Sequence, residues 1–439
     1  MAMKPIRFKR YPTYKDSGIE WLGKVPEHWD VAPVSARYEI ALGKMLDSKR
    51  VTGAFLGRYL RNVDVQWDAV NTDGLPEMDF LPSERDRYSL RPGDLLICEG
   101  GEVGRTAIWR GEIEPCYYQK ALHRARPRRT SDVPRFFYYL MYAMAARGVF
   151  ASVGNQNTID HLTALQLRHY RLPFGSTAEQ LAVATFLDDE TAKIDALVAT
   201  NERLIDLLDE KRRVLITRAT TRGLDTNCPM KPSGVEWLGD IPEYWDVQPN
   251  GTLFQERNER GRRDLPILEV SIANGVRVRE FSSSKIEQRS DDLGAYKVAR
   301  HGDIAFNKMR MWQGAVGMTP EDGLVSPDYV VASARTGIEA AYYASLFRTP
   351  AFMDEVYRWS HGIVDDRNRL YWDDFKAIRS PVPPNSEQRR IVSTLDKETD
   401  RIAVLIDMAR VAVLKLKELR TALISAAVTG KIDVREGAL

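Results

Sequence analysis

Between Ile402 and Leu423 apolar residues return at alternating steps of three and four: Ile402, Leu405, Ala409, Ala412, Leu416, Leu419 and Leu423. That spacing keeps them on one stripe of an α-helix, the a/d seam of a coiled coil. An earlier stretch repeats the register with Ile194, Leu197, Asn201, Leu204, Leu208, Lys211 and Leu215, a seam with two polar interruptions. The punctuation agrees. Each stretch follows a proline-containing run and opens on a cap residue with a glutamine three positions on, Thr177 with Gln180 and Asn385 with Gln388. Each closes on a glycine, Gly223 or Gly430, suited to the left-handed stop of a helix. The two predicted helices run about forty residues, roughly 60 Å at 1.5 Å per residue. So narrow a stripe on so long a helix is buried most simply against its twin, and the pairing expected is antiparallel.

The remaining pattern is of short strands between Gly and Pro turns. "RPGDL" from Arg91 and "RHGDI" from Arg300 are matching Gly-Asp turns that feed the apolar runs "LLIC" and "IAF". The match is part of a larger duplication. "SGIEWLGKVPEHWDV" (Ser17 to Val31) returns as "SGVEWLGDIPEYWDV" (Ser233 to Val247), and from Lys15 against Lys231 twelve of seventeen positions are identical. Glu179 to Asp225 aligns without a gap to Glu387 to Asp433, sixteen of forty-seven positions identical. One unit of about two hundred residues is thus written twice, its ends kept and its middle diverged. The tryptophans of the repeated sentence are expected to clamp the turn by which the chain enters each domain. The fold class expected is mixed α/β, an α+β arrangement of two globular domains separated by a pair of long antiparallel coiled-coil helices, with internal pseudo-twofold symmetry. The expected boundaries are 1–172 and 227–380 for the globular domains and 173–226 and 381–439 for the conserved helices.

Composition narrows the class without naming it. With 44% hydrophobic and 28% charged residues the 439-residue chain is ordinary globular material, large enough for two or three cores. The basic start "MAMKPIRFKR" lacks the apolar core of a signal peptide and no long apolar run suggests a membrane span, so a cytoplasmic location is expected. The three cysteines, Cys98, Cys116 and Cys228, form no C-x-x-C pair and read as isolated thiols. The net charge of +2 conceals segregation. Basic residues gather in "KALHRARPRR" (Lys120 to Arg129) and "NERGRR" (Asn258 to Arg263), whereas acids crowd Leu187 to Glu210.

Catalytic signatures are missing. There is no [ND]-P-P-[YF] loop of an amino-methyltransferase, "PPN" at Pro383 to Asn385 having the wrong order, and no G-x-x-x-x-G-K-[ST] phosphate loop or H-E-x-x-H pair. The repeated W-L-G-x-[IV]-P-x-x-W sentence, the proline-then-"EQ" start of both long helices, "TGKID" at Thr429 to Asp433 and the twofold repetition together resemble the DNA specificity subunits of type I restriction-modification systems. The resemblance covers essentially the whole chain. It implies a non-catalytic subunit in which each variable domain reads one half of a split double-stranded DNA site and the helices set the distance between halves. It further implies two methyltransferase subunits as partners, with room for motor-nuclease subunits. S-adenosylmethionine, and ATP and Mg where a motor is present, would be held by those partners, with no cofactor or metal in this chain.

A split asymmetric site requires two different readers, so the diverged middles are where DNA contacts are expected. Amides pair bidentately with adenine and Arg with guanine, while Lys and most Arg grip phosphates. On that chemistry the first domain offers Arg105 on a Gly-rich loop, Lys120 and Arg124 in the basic run, and Gln156 and Asn157 in "SVGNQNT". The second offers Asn307, Lys308, Arg310 and Gln313 in "FNKMRMWQG", with His361, Arg367 and Arg369 in "HGIVDDRNR". For any one of these residues ordinary surface duty is at least as good a reading. Two other functions stay open on sequence alone, a coiled-coil scaffold that binds only proteins and a self-contained methyltransferase or nuclease with drifted motifs.

Overall fold

A computed structural model of the chain describes residues 8–46, 52–150, 161–279, 293–362 and 368–435. The chain divides into two compact units, one made of Met1–Asn201 with Val411–Leu439 and the other of Glu202–Arg410. Each mixes helix and strand.

In the first unit the repeated sentence forms a hairpin, Tyr14–Asp16 against Lys24–Pro26. The next strand, Asp30–Pro33, pairs antiparallel with Arg171–Phe174, the last strand before the long helix. A four-stranded sheet follows in the order Tyr38–Leu42, Leu122–Pro127, Leu95–Cys98, Thr106–Ile108, antiparallel throughout. Helix Pro134–Ala146 (PRFFYYLMYAMAA) buries Phe136, Phe137, Tyr138, Tyr139, Leu140 and Met141 in the main core. The second unit repeats the plan. Met230–Pro232 pairs with Asp240–Pro242, Asp246–Pro249 with Arg379–Val382, and the sheet order is Phe254–Glu256, Tyr329–Ala334, Ile304–Asn307, Val316–Met318.

The tryptophan clamp is real, and its partner is the long helix. Trp29 and Trp245 are fully buried, and their indole Nε1 atoms donate to Glu179 Oε1 (3.3 Å) and Glu387 Oε2 (3.0 Å). The residue before each Trp joins in: His28 Nε2 lies 2.7 Å from Glu179 and Tyr244 Oη donates to Glu387 at 3.0 Å. Burial pushes the Glu179 carboxyl up, but hydrogen bonds from His28, Ser176 and Trp29 outweigh it and hold the group below its ordinary value. The neighbouring glutamine anchors the rest of the domain. Gln180 accepts from Val133 N (3.1 Å) and donates to Gly175 O (2.9 Å), as Gln388 accepts from Glu339 N and donates to Pro383 O, both at 2.8 Å.

Two local expectations shift by one residue. The first long helix is capped by Ser176, whose Oγ accepts from Glu179 N while Glu179 Oε2 accepts from Ser176 N, so the capping box is Ser176 with Glu179 instead of Thr177 with Gln180. Gln180 is drawn away into the domain core. The seam also moves. The helices, Thr177–Arg222 and Asn385–Val428, pair antiparallel, with Asp195 accepting from Arg420 Nε (2.9 Å) in the first unit and Leu208 packing on Ile402 and Ile406 in the second. Ile194, Leu208, Ile402, Ala409 and Leu423 are buried as expected. Their companions, however, are Val198 (9% exposed) and Ile406 (4%), four residues on, whereas Leu197 (52%) and Leu405 (48%), three on, face outward. Both steps stay on one side of a 3.6-residue helix, and here the β-branched residues turn to the seam.

The glycine stops are held by the clamp of the same unit. Gly430, at φ 68°, sits where a Cβ would run into the ring of Pro26, and Gly223, at φ 75°, lies against Trp245 and Pro242. In the first unit this returns the end of the chain to its beginning: Asp433 N donates to Lys9 O (2.8 Å) and Lys431 Nζ to Leu22 O (3.1 Å).

Candidate nucleic-acid interface

The diverged loops leave the third strand of each four-stranded sheet, and the Gly-Asp turn fixes where that strand starts. Asp94 accepts from Arg91 N (2.7 Å) and takes both Arg126 Nε and Nη2 at 2.7 Å. Asp303 accepts from Arg300 N (2.9 Å) and takes Arg257 Nε at 2.6 Å. Beyond the strand, the first unit's loop runs Glu99 to Arg105 and the second's runs Lys308 to Gly314.

A backbone staple joins each loop to a second segment. Leu162 N donates to Glu99 O at 2.8 Å, and Leu370 N donates to Lys308 O at 2.9 Å. These are the same bond in the two repeats. In the first unit His123, fully buried, adds its Nε2 to Leu162 O at 2.5 Å, and burial holds its imidazole pKa below the ordinary value. The corresponding strand position in the second unit is Val330.

The staple brings part of the expected set together. Lys308, Arg310 and Gln313 share one loop with Asn307 at its base, and His361 and Arg369 face each other across a short antiparallel bridge beside it. Lys308 Nζ stands 5.7 Å over the Tyr371 ring, and Asn307 Oδ1 accepts from Met309 N at 2.9 Å. Arg310, Gln313, His361 and Arg369 are exposed, although His361 Nε2 comes within 3.4 Å of Asp374. In the first unit the residues disperse. Lys120 is exposed, but Arg105 turns back on its own loop, donating to Asn62 O (3.0 Å) and Glu102 Oε2 (3.3 Å). Arg124 is 2% exposed and donates to Glu39 Oε1 (2.8 Å), Arg87 O and Ser89 O, which leaves it no face for a phosphate or a base. Gln156, Asn157 and Arg367 lie outside the described residues.

Sequence reasoning passed over the staple residues, His123, and the rings under the basic loop, Tyr371 and Trp312. A signal existed for the first. The alignment that sets Glu179 on Glu387 also sets Leu162 on Leu370, and "H-L-T" and "R-L-Y" surround them.

Among the described residues no group of three or more His, Cys, Asp and Glu is placed to hold a metal ion. Burial pushes the Cys98 thiol up to about 11 and the Cys116 thiol up to about 12, so neither is a ready nucleophile. No described helix is long and apolar enough to cross a membrane.

No family model matches the chain. It is 22% identical over 460 aligned positions to the putative type I restriction enzyme MjaX specificity subunit of Methanocaldococcus jannaschii, spanning 98% of this chain and 99% of that one. Over its whole length the chain is similar to type I specificity subunits. The fold agrees along its length. A chain from a structure concerned with complex assembly and conformational transition of the type I restriction-modification system superposes with a TM-score of 0.63 at 16% identity, covering 92% of this chain and 98% of that chain. The HsdS subunit of Thermoanaerobacter tengcongensis gives 0.56 at 14% identity, covering 93% and 98%.

Proposed function

We propose that this chain is the DNA-reading subunit of a type I restriction-modification complex, working in the cytoplasm, with residues 1–172 reading one half of a bipartite site and 227–380 the other. The observation that carries the reading is the staple. One backbone bond, from Leu162 to Glu99 and from Leu370 to Lys308, supports two loops of unrelated side chains, a fixed mount for exchangeable readers. The contacts we assign are Lys120 in the first domain and Asn307, Lys308, Arg310, Gln313, His361 and Arg369 in the second. Gln156, Asn157 and Arg367 stay among the assigned contacts on sequence grounds alone, by their position in the repeat. Arg105 and Arg124 are assigned to holding the fold.

The chemistry is left to partners: two methyltransferase subunits carrying S-adenosylmethionine, joined by motor-nuclease subunits where restriction occurs. Exposed apolar residues on the long helices suit such docking. Leu197, Val411, Leu414 and Leu419 lie on the first unit, and Leu204, Leu207, Leu405 and Met408 on the second. One exposed apolar set per unit provides for two copies of one partner.

The test is to map methylated adenines in cells that carry the modification subunits, with and without this chain, and again with residues 32–170 exchanged for those of a relative. We expect one split motif that depends on the chain, and a change in one half only after the exchange. Methylation without sequence restriction, or a change in both halves, would refute the assignment.

A further inference from the structure

We propose that Arg310 reads a guanine of the second half-site, an inference that rests on the DNA-reading function above. The turn that carries it is rigid at the backbone and free at the side chain. Arg310 N donates to Asn307 O at 3.1 Å, and Arg310 O accepts from Gln313 N and Ala315 N, each at 3.0 Å. Met311 next to it is fully buried, Trp312 lies edge-on to Tyr357 at 5.4 Å with its Nε1 on Met309 O (3.0 Å), and Gly314 at φ 93° turns the chain into strand Val316–Met318. The turn Met311–Gln313 is 3₁₀, and Arg310 at its cap and Gln313 at its end are both exposed.

Several arginines of this domain are instead taken up by carboxylates, while Arg260, Arg263, Arg335 and Arg369 share the freedom of Arg310 without its pinned turn. Arg257 is paired with Asp303, Arg262 with Asp264, Arg277 with Glu269 and Arg300 with Glu259. Among the described residues Arg310 has no carboxylate and no carbonyl for its guanidinium. A guanidinium presents two parallel N–H groups that match O6 and N7 of guanine, and the geometry tolerates little sway. A phosphate grip needs only a nearby positive charge. Lys308, two residues away and set over a tyrosine ring, already supplies one. An arginine on a pinned backbone, with an exposed glutamine on the same turn, has the arrangement of a reader.

The experiment uses the assembled complex of this chain with its modification subunits, as wild type, Arg310→Ala and Arg310→Lys. The second half-site is identified as the half unchanged by exchange of residues 32–170. We expect that half to contain a G·C pair at which Arg310→Ala lowers discrimination roughly 5- to 150-fold while the other positions keep their preference. Arg310→Lys, which keeps the charge and loses the fork, should preserve overall affinity and its salt dependence and still relax that one position. An unchanged motif in Arg310→Ala, or a second half without a G·C pair, would overturn the assignment. So would uniform weakening on all sequences with a salt slope shallower by about one, the mark of a phosphate contact. A wild-type complex that methylates without any split motif would instead bring down the underlying function.

Discussion

Arg105 and Arg310 follow equivalent strands, yet one is folded back onto Asn62 and Glu102 and the other stands free. The first loop carries Glu99 and Glu102, the second Lys308 and Arg310, and the same amide-to-carbonyl staple holds both. The contrast separates two kinds of constraint. What must be identical is the backbone frame, made by Trp, Glu, Gln and Gly at fixed places. What is free to differ is the charge and reach of the side chains mounted on it, as the proposed reading of two unlike half-sites requires.

The largest test removes what the halves share. Trp29→Ala and Trp245→Ala each delete a fully buried indole and leave Glu179 or Glu387 one donor short. Each should cost about 3–5 kcal/mol, and hydrogen exchange should show the loss in the unit that carries the substitution. Equal loss of protection in both units would mean that they do not fold as separate frames.

A second comparison sets Gly430→Ala against Gly223→Ala. Both glycines have positive φ, but only at Gly430 does the added methyl run into a proline ring. We expect about 1–3 kcal/mol for either from the backbone alone, with Gly430→Ala the worse of the two in thermal melting of the complex. The reverse order would break the comparison.

Third, Arg420 and Arg212 occupy the same position of the repeat. Arg420 reaches across to Asp195 and covers the Tyr142 ring at 5.0 Å, whereas Arg212 pairs with Asp209 on its own helix at 2.8 Å. The sequence explains it, since the counterpart of Asp195 is Ala403. Arg420→Ala should cost about 1 kcal/mol, largely through lost packing, and Arg212→Ala within about 0.5 kcal/mol. Equal effects by denaturant melting would show that the cross-helix pair contributes nothing of its own.

The smallest effect at neutral pH concerns His123, which the second unit replaces with Val330. Burial depresses its folded pKa below the unfolded value of 6.5, helped by Arg168 and opposed by the Leu162 carbonyl and Glu99. The stability it protects is therefore complete above about pH 6.5 and declines as pH falls toward the folded pKa. Melting the wild type and His123→Gln between pH 7.5 and 5.5 should give a steeper acid loss in the wild type. Parallel curves would remove the imidazole as the cause.

Much of this frame was legible in the sequence, because duplication marks what folding needs. The helices, their glycine stops and the tryptophan sentence all return in the second copy, the glycine displaced by one position. The errors came where two neighbours were chemically interchangeable. Ser176 and Thr177 both cap, Glu179 and Gln180 both accept, and Leu197 and Val198 both suit a seam, so only tertiary packing chose between them. Arg124 misled for a different reason, one that Arg126 of the same basic run also shows. Alternation along strand Leu122–Pro127 places them on one face, but the acids that neutralise them, Glu39 and Asp94, are far away in the chain and no local pattern announces the pairing. Of the residues expected to contact DNA, those of the second domain come nearer together, because Asn307, Lys308, Arg310 and Gln313 follow one another along one short stretch of chain.

The second unit is one uninterrupted stretch, Glu202–Arg410, whereas the first needs Val411–Leu439 to close on Lys9 and Leu22. On the ribosome the order of completion is therefore the reverse of the order of synthesis. The domain begun first waits, with Pro26 and the seam around Ile194 uncovered, until the last segment has been made. A chain cut short after Arg410 would thus retain every residue of its second frame and leave its first one open.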